Sequence, residues 1–206
     1  MTHDFDQDYW DHHWARARGR ADGSWPPPHP YLARETAALT PGTALEAGCG
    51  EGAEALWLAG AGWQVTAADL SAEALDRARA RDEGDLVTWV QADLGTWEPG
   101  RGFDLVTTHY AHPAIPQLAF YERLSRWVAP GGTLLVVAHR HTGEHGHGHG
   151  DQPAAEVSVT AASVVATLEP TGWKVVTASE EARVVGGHAG SPKTLHDVVV
   201  RATRRT

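Results

Sequence analysis

The chain has 206 residues, 42% of them apolar, and a formal charge of −9, with its basic residues scattered among acids apart from Arg201, Arg204 and Arg205. That length supports one α/β domain with a sizeable core and requires no second, while the acidic balance excludes nucleic acid as substrate, because phosphate binding takes a concentrated basic surface. No apolar run reaches the ~20 residues of a membrane span, the start MTHDFDQDYW is too acidic for a signal peptide, and the one cysteine, Cys49, leaves no internal disulfide, so a cytoplasmic protein with no membrane partner is expected.

Residues 1–22 carry Tyr9, Trp10 and Trp14 among charges, and the spacing of the two tryptophans places both indoles on one helical face. Trp25 to Pro30 forms a stiff, extended connector that cannot be helical. The elements that follow make a complete fold without residues 1–30, so this stretch is expected to be an aromatic arm folding over the site as a lid; the alternative is surface packing against a sheet edge. Residues 31–206 form the main domain, opened by a helix over Tyr31–Leu39.

Ala44 to Ser71 reads ALEAGCGEGAEALWLAGAGWQVTAADLS and is the most informative stretch. It places a short strand, a glycine turn, a helix from about Ala53, a second strand and Asp69 in one βαβ unit. Gly48, Gly50 and Gly52 let the backbone bend tightly and approach a ligand, since a Cβ there would clash. The helix start directs free N–H groups over the turn. Asp69 stands where a carboxylate accepts both hydroxyls of a ribose; its other reading, a helix N-cap, fits Ser71 better. Gly48, Gly50 and Ala53 also satisfy the dinucleotide pattern G-x-G-x-x-G/A, which keeps a nicotinamide-dependent oxidoreductase as an alternative. Glu46 argues for a cationic aminoacid moiety instead, because a pyrophosphate gains nothing from a carboxylate there.

Ala72–Arg81 reads as a helix burying Ala74, Leu75 and Ala78. The strand LVTWVQ ends at Asp93, an acid suited to an adenine amino group, and FDLVTTHY (Phe103 to Tyr110) supplies a fourth strand. A helix over Ile115–Val128 is expected to bury Leu118, Tyr121, Leu124 and Val128. Ala129-Pro130-Gly131-Gly132 then turns sharply into the fifth strand, TLLVVAH. A helix ends over Val164–Leu168, and strands over Trp173–Ala178 and His196–Ala202 close the chain. Alternation of strands and helices predicts a doubly wound α/β sheet with ligands at the strand C-termini.

From about Thr36 to its C-terminus the sequence resembles the class I S-adenosylmethionine-dependent methyltransferases, on the strength of the glycine turn after Glu46, Asp69, Ala92-Asp93-Leu94 and the fourth-strand end. The resemblance implies a Rossmann-like, seven-stranded, mostly parallel sheet with the last strand antiparallel and helices on both faces. It implies that Glu46, Gly48 and Gly50 line the methionine part of S-adenosylmethionine, that Asp69 and Leu70 hold the ribose, that Asp93 and Leu94 flank the adenine, and that His109 sits beside the sulfonium. Cys49, inside the turn, is expected as a small apolar filler of the cofactor site, and Trp14 as a lid contact to the same cofactor; S-adenosylhomocysteine would be the product. The small build and aromatic arm are similar to the thiopurine and tellurite methyltransferase group. Thr108-His109-Tyr110-Ala111 replaces the Asn/Asp-Pro-Pro-Tyr signature of adenine and glutamine amino-methylation, so that chemistry is disfavoured.

Methyl transfer asks the protein to align a nucleophile with the methyl group and exclude water; a weakly acidic acceptor also benefits from a base. His112 is the first candidate base, His139 the second, with His109 beside them; Tyr110, His112, Trp10 and His141 are the candidate acceptor contacts. The expected partner is a small molecule, with sulfur or another chalcogen as nucleophile before nitrogen or oxygen, and oligomeric state is open. Thirteen histidines are unusual, and HRHTGEHGHGHG places five within eleven residues of a loop spanning 139–152. A disordered insertion with incidental metal affinity, a divalent-metal site using His141, His145, His147 and His149, and a substrate cap all fit, the first best, because ordering a glycine-rich loop is entropically expensive. No dedicated metal is therefore assigned, and a non-catalytic module binding S-adenosylmethionine or metal remains a second alternative.

Overall fold

The computed structural model describes residues 5–16, 27–140, 159–186 and 192–206. The elements are α1 (Gln7–Arg16), α2 (Pro30–Thr36), β1 (Thr43–Ala47), α3 (Ala53–Gly60), β2 (Gln64–Asp69), α4 (Ala72–Arg81), β3 (Val87–Gln91), β4 (Phe103–His109), α5 (Gln117–Arg126), β5 (Val128–His139), α6 (Ala161–Val165), β6 (Trp173–Gly186) and β7 (Pro192–Arg204). They build a seven-stranded sheet in the order β3-β2-β1-β4-β5-β7-β6. β1 to β5 pair in parallel, and β7 runs antiparallel to both β5 and β6. The Rossmann-like expectation, last strand antiparallel included, is met.

Strand alternation explains the two layers of helix. Along β5, Leu134, Val136 and Ala138 join one core with Phe120, Tyr121 and Leu124 of α5 and Val164 of α6. Leu135 and Val137 point the other way, into a second core with Leu32 of α2, Ala55 and Leu58 of α3 and Leu75 of α4. Each large buried apolar side chain contributes about 1.5–3 kcal/mol, so both faces of the sheet must be covered. α4 shows how local chemistry sets an element: Ser71 Oγ accepts from Ala74 N–H at its start (3.3 Å), and Arg79 and Arg81 lie in its last turn.

Three details depart from expectation. Leu118 is 37% exposed while Phe120 is fully buried, so the α5 stripe is Phe120, Tyr121 and Leu124; the helix starts at Gln117, two residues later than read, which rotates Leu118 outward, and Val128 belongs to β5. Ala129–Gly132 does not precede the fifth strand but lies inside it, where the β4–β5 register shifts between Phe103 and Leu105. β6 and β7 extend well past Ala178 and before His196, because each supplies the ladder partner that polar residues such as Glu180, Glu181 and Arg183 do not announce from sequence. Among the described residues, no helix is long and apolar enough to cross a membrane.

Candidate active site

The sheet order reverses between β1 and β4, which opens a crevice at the strand C-termini. A cavity of about 470 Å³ lies there, with α1 along one side. The glycine turn forms its floor. Gly48 has φ +78°, and a Cβ on it would stand 2.4 Å from the Ala111 Cβ. Gly50 has φ +49°, and a Cβ there would meet Trp14 Cζ2 at 2.8 Å. Only glycine satisfies both the left-handed backbone and the space.

Asp69 ends β2 with both oxygens engaged by backbone: Oδ2 accepts from Gly50 N–H (2.8 Å) and Oδ1 from Ser71 N–H (2.9 Å). Burial raises its pKa against the pull of these two donors. Each oxygen keeps a lone pair for a ligand hydroxyl. Ser71 takes the α4 cap, leaving Asp69 to the cavity. Past β3, Asp93 accepts from Gly95 N–H (2.8 Å) and Thr96 Oγ1 (3.2 Å), and buried Leu94 lies beside it on the cavity wall.

α1 buries none of its own residues, yet polar contacts tie it down. Ser71 Oγ donates to Asp11 (2.5 Å), and Arg77 donates to the Trp14 carbonyl (2.5 Å) while pairing with Glu51 (3.0 Å). This presents Phe5, Tyr9, Trp10, His13 and Trp14 to the cavity.

At the end of β4, His109 and Glu46 form a buried pair, Nδ1 to Oε1 3.2 Å, and neither His109 Nε2 nor Glu46 Oε2 has a hydrogen-bond partner among the described residues. Burial lowers His109 to about 4 and pushes Glu46 well above the ordinary carboxylate value. His112 lines the cavity with its ring stacked on Phe5 (centroids 5.8 Å).

Between these histidines Tyr110 holds φ +55°, uncommon for a side chain of its size. A knot of side chains fixes it. His29 Nδ1 accepts from Tyr31 N–H (3.4 Å), which leaves the proton on Nε2 to donate to the Tyr110 hydroxyl (2.9 Å); Arg183 donates to the same oxygen (3.3 Å). The His139 ring stacks on Tyr110 (4.0 Å), and its Nδ1 bonds the fully buried Asp197, which also pairs with Arg183. Burial acts to raise Asp197, but hydrogen bonds from His139 and Arg183 hold it below the usual range.

Of the residues read from sequence, Trp14, Gly48, Cys49, Gly50, Asp69, Leu70, Asp93, Leu94 and His109 surround the cavity, as do Trp10, Tyr110 and His112. Burial raises the Cys49 thiol well above its ordinary pKa, as a filler requires. Two candidates are placed off the cavity wall. Glu46 does not line the cavity: its carboxyl turns onto His109 and is 1% exposed. His139 is absent from the cavity as well, since it is engaged by Tyr110 and Asp197. His141, His145, His147 and His149 lie outside the described residues, as do Trp25 and Pro26 of the connector. Among the described residues, no group of three or more His, Cys, Asp or Glu is placed to hold a metal ion.

Residues 44–132, the segment that carries the glycine turn, Asp69, Asp93 and the end of β4, match the family described as a methyltransferase domain. Over that segment the chain is similar to methyltransferase domains, and its sheet has the Rossmann-like fold of class I S-adenosylmethionine-dependent methyltransferases. Over 95 residues it is 41% identical to an uncharacterized methyltransferase of Mycobacterium tuberculosis, covering 45% of this chain and 48% of that protein; the match thus spans about half the length of that relative. It is 27% identical to probable thiol methyltransferase 2 of Arabidopsis thaliana, over 81% of this chain and 74% of the plant protein. A solved structure from work on the conversion of a disulfide bond into a thioacetal group during echinomycin biosynthesis shares the fold: TM-score 0.70 at 24% identity, over 97% of this chain and 91% of that one.

Sequence reading missed Phe5, His13, Glu51, Glu54 and Phe120 on the cavity wall. Phe5, Tyr9 and His13 repeat the four-residue spacing of Trp10 and Trp14, so helical periodicity carried to the start of the chain finds them. Nothing local marks His29, Arg183 or Asp197, which reach Tyr110 from remote parts of the chain.

Proposed function

We propose that the chain transfers a methyl group from S-adenosylmethionine to a small-molecule nucleophile, sulfur or another chalcogen before nitrogen or oxygen, by in-line displacement that releases S-adenosylhomocysteine. The observation that carries the reading is a single cavity joining the glycine turn and Asp69 at one end to His109, Tyr110 and His112 at the other. The residues present fit the donor: Asp69 has lone pairs for a ribose diol, Leu70 and Leu94 offer apolar walls, and Asp93 has an acceptor for an amino group. Glu51, Glu54, Asp69 and Asp93 are the charged side chains on the wall, with no Lys or Arg among the described lining residues. That polarity suits a cationic sulfonium and opposes the pyrophosphate of a dinucleotide.

α1 is the lid. Its aromatic face excludes water from the transferring methyl group, and its ties to α4 align it with the donor end. Tyr110 is pinned from behind by His29, Arg183 and His139, which holds His109 and His112 in register with the acceptor. His112 accepts the acceptor's proton. The name of the Arabidopsis relative, probable thiol methyltransferase 2, supports sulfur as the first choice.

The test is His112→Ala. Turnover on a thiol should fall at least about tenfold, the low end of general-base effects, while the dissociation constant for S-adenosylhomocysteine, read by calorimetry, stays unchanged. Undiminished turnover refutes the base assignment.

A further inference from the structure

We infer that the acceptor is an uncharged, apolar thiol or selenol that gives up its proton inside the cavity, and that preformed anions, both oxyanions and carboxylate-bearing thiols, are rejected. The inference rests on the methyl-transfer reading above and narrows its acceptor. It follows from the charges that face the cavity and from the charge balance of the reaction.

Among the described residues Glu54 carries no ion pair, and Arg81 acts on it only through space. Its described partner is the His29 backbone N–H (2.9 Å), and no salt bridge of the described residues reaches it. Glu51 is balanced by Arg77 (3.0 Å). Asp69 and Asp93 are held by neutral donors. Arg183 lies behind the Tyr110 ring (5.9 Å to its centroid) and is committed to Asp197. The surface offered to the acceptor is aromatic: Phe5, Trp10, Tyr110, His112 and Phe120. Such a wall binds polarizable apolar groups, and no described group on it is a fixed cation for an anion.

The charge balance runs the same way. With a neutral thiol, the S–H proton passes to His112, the sulfur lone pair forms the new S–CH₃ bond, and the old CH₃–sulfonium bond breaks with its electron pair returning to the donor sulfur. One positive charge sits on the sulfonium before the transfer and on the imidazolium after it. The acidic wall keeps a cation throughout. With an anionic nucleophile that has no proton to give, the positive charge is annihilated and the four carboxylates are left without a cation; a carboxylate-bearing thiol still forms the imidazolium, but like any anion it must enter against the acidic wall. Glu54 is thus a specificity determinant acting through space, and a cavity of about 470 Å³ shared with the donor keeps the acceptor small.

The experiment compares one neutral thiol with three anionic acceptors on the 206-residue chain: benzyl mercaptan against 4-(mercaptomethyl)benzoate, thiocyanate and tellurite. It reads kcat/KM with S-adenosylmethionine and, separately, acceptor dissociation constants with S-adenosylhomocysteine in the donor's place. Benzyl mercaptan should exceed the carboxylate thiol by about tenfold or more in both readouts, a difference of ~1.4 kcal/mol, and Glu54→Gln should narrow that ratio at least about threefold while leaving S-adenosylhomocysteine bound. Equal or tighter binding of the carboxylate thiol, or a better rate on thiocyanate or tellurite, overturns the inference, as does a complete lack of thiol binding. Neutral-first binding without turnover on any acceptor upholds the selectivity and refutes the methyl-transfer reading, so the two failures are distinguishable.

Discussion

Gly50→Ala separates the backbone's part in the site from the lid's. The new residue inherits φ +49°, which costs a non-glycine roughly 1–2 kcal/mol. Its Cβ also stands 2.8 Å from Trp14 Cζ2 and 3.1 Å from Cη2, against a comfortable carbon contact of about 3.5–4.0 Å, so the indole must retreat by roughly 0.7 Å or more. Gly100→Ala is the control: Gly100 has φ +71° and nothing within 4 Å of its virtual Cβ, so that variant reports backbone strain alone. Because α1 buries none of its residues, it has little to lose by moving, and the clash is relieved by releasing the lid. Both variants should therefore lose similar stability to urea, about 1–2 kcal/mol, whereas only Gly50→Ala should lose amide-exchange protection over residues 7–16 and bind S-adenosylhomocysteine about tenfold or more weakly, ~1.4 kcal/mol. If the two variants match in exchange protection and affinity, Trp14 does not rest on the turn as described and the lid assignment fails.

Two further predictions concern the buried charges. Asp197→Ala leaves Arg183 and His139 without their shared carboxylate; removing one partner of a buried pair costs about 3–5 kcal/mol, and since Arg183 is 27% exposed and rehydrates in part, the lower end is expected, visible as a drop in Tm of about 6–12 °C at 2–4 °C per kcal/mol. A drop under about 3 °C would show that the knot behind Tyr110 is not a structural tie. For pH dependence, His29 and His109 are each lowered to about 4, so below pH ~6.5 the unfolded chain binds protons that the fold does not, and stability falls as pH drops from there toward 4, by up to about 3 kcal/mol for His109 and less for the half-exposed His29. Glu46, raised by burial, has the opposite sign: its stabilisation is complete below the unfolded carboxylate pKa of about 4.3 and is lost as pH rises through the folded value. Glu46→Gln should accordingly flatten the alkaline limb of a urea-midpoint profile and stand above wild type at pH 8; parallel profiles would mean that Glu46 carries no extra proton in the fold.

The donor end was legible because it is written in contiguous sequence. Glycines at fixed intervals, an acid at the end of β2 and another after β3 are separated by one strand or one helix each, and the parallel topology brings their strand ends together. The acceptor end was only half legible. His109 and His112 could be found from the β4 terminus, but the direction of Glu46 depends on which of two buried polar groups it meets, and nothing near position 46 names position 109. His139 looked equivalent to His112 from its place at a strand end. It differs because β7 runs antiparallel beside β5 and sets Asp197 opposite it, a register that the short β-branched run DVVV does not specify. The histidine-rich stretch at 141–149 was conspicuous in composition and lies outside the described residues.

The two ends also differ in how they hold their shape. At the glycine-turn end of the cavity the backbone itself is the surface: left-handed glycines, N–H groups fixed on Asp69 and the strand termini of a sheet covered on both faces. Replacing a side chain there disturbs the fold as well as the ligand. At the acceptor end the surface is made of side chains from an arm with no buried residue and from a β4 terminus whose Tyr110 is pinned by remote partners. Phe5 and Trp10 can therefore be exchanged with little loss of core burial, while His29, Arg183 and Asp197 cannot without loosening Tyr110. Changes in the first group should then shift acceptor preference, and changes in the second group should degrade every acceptor alike.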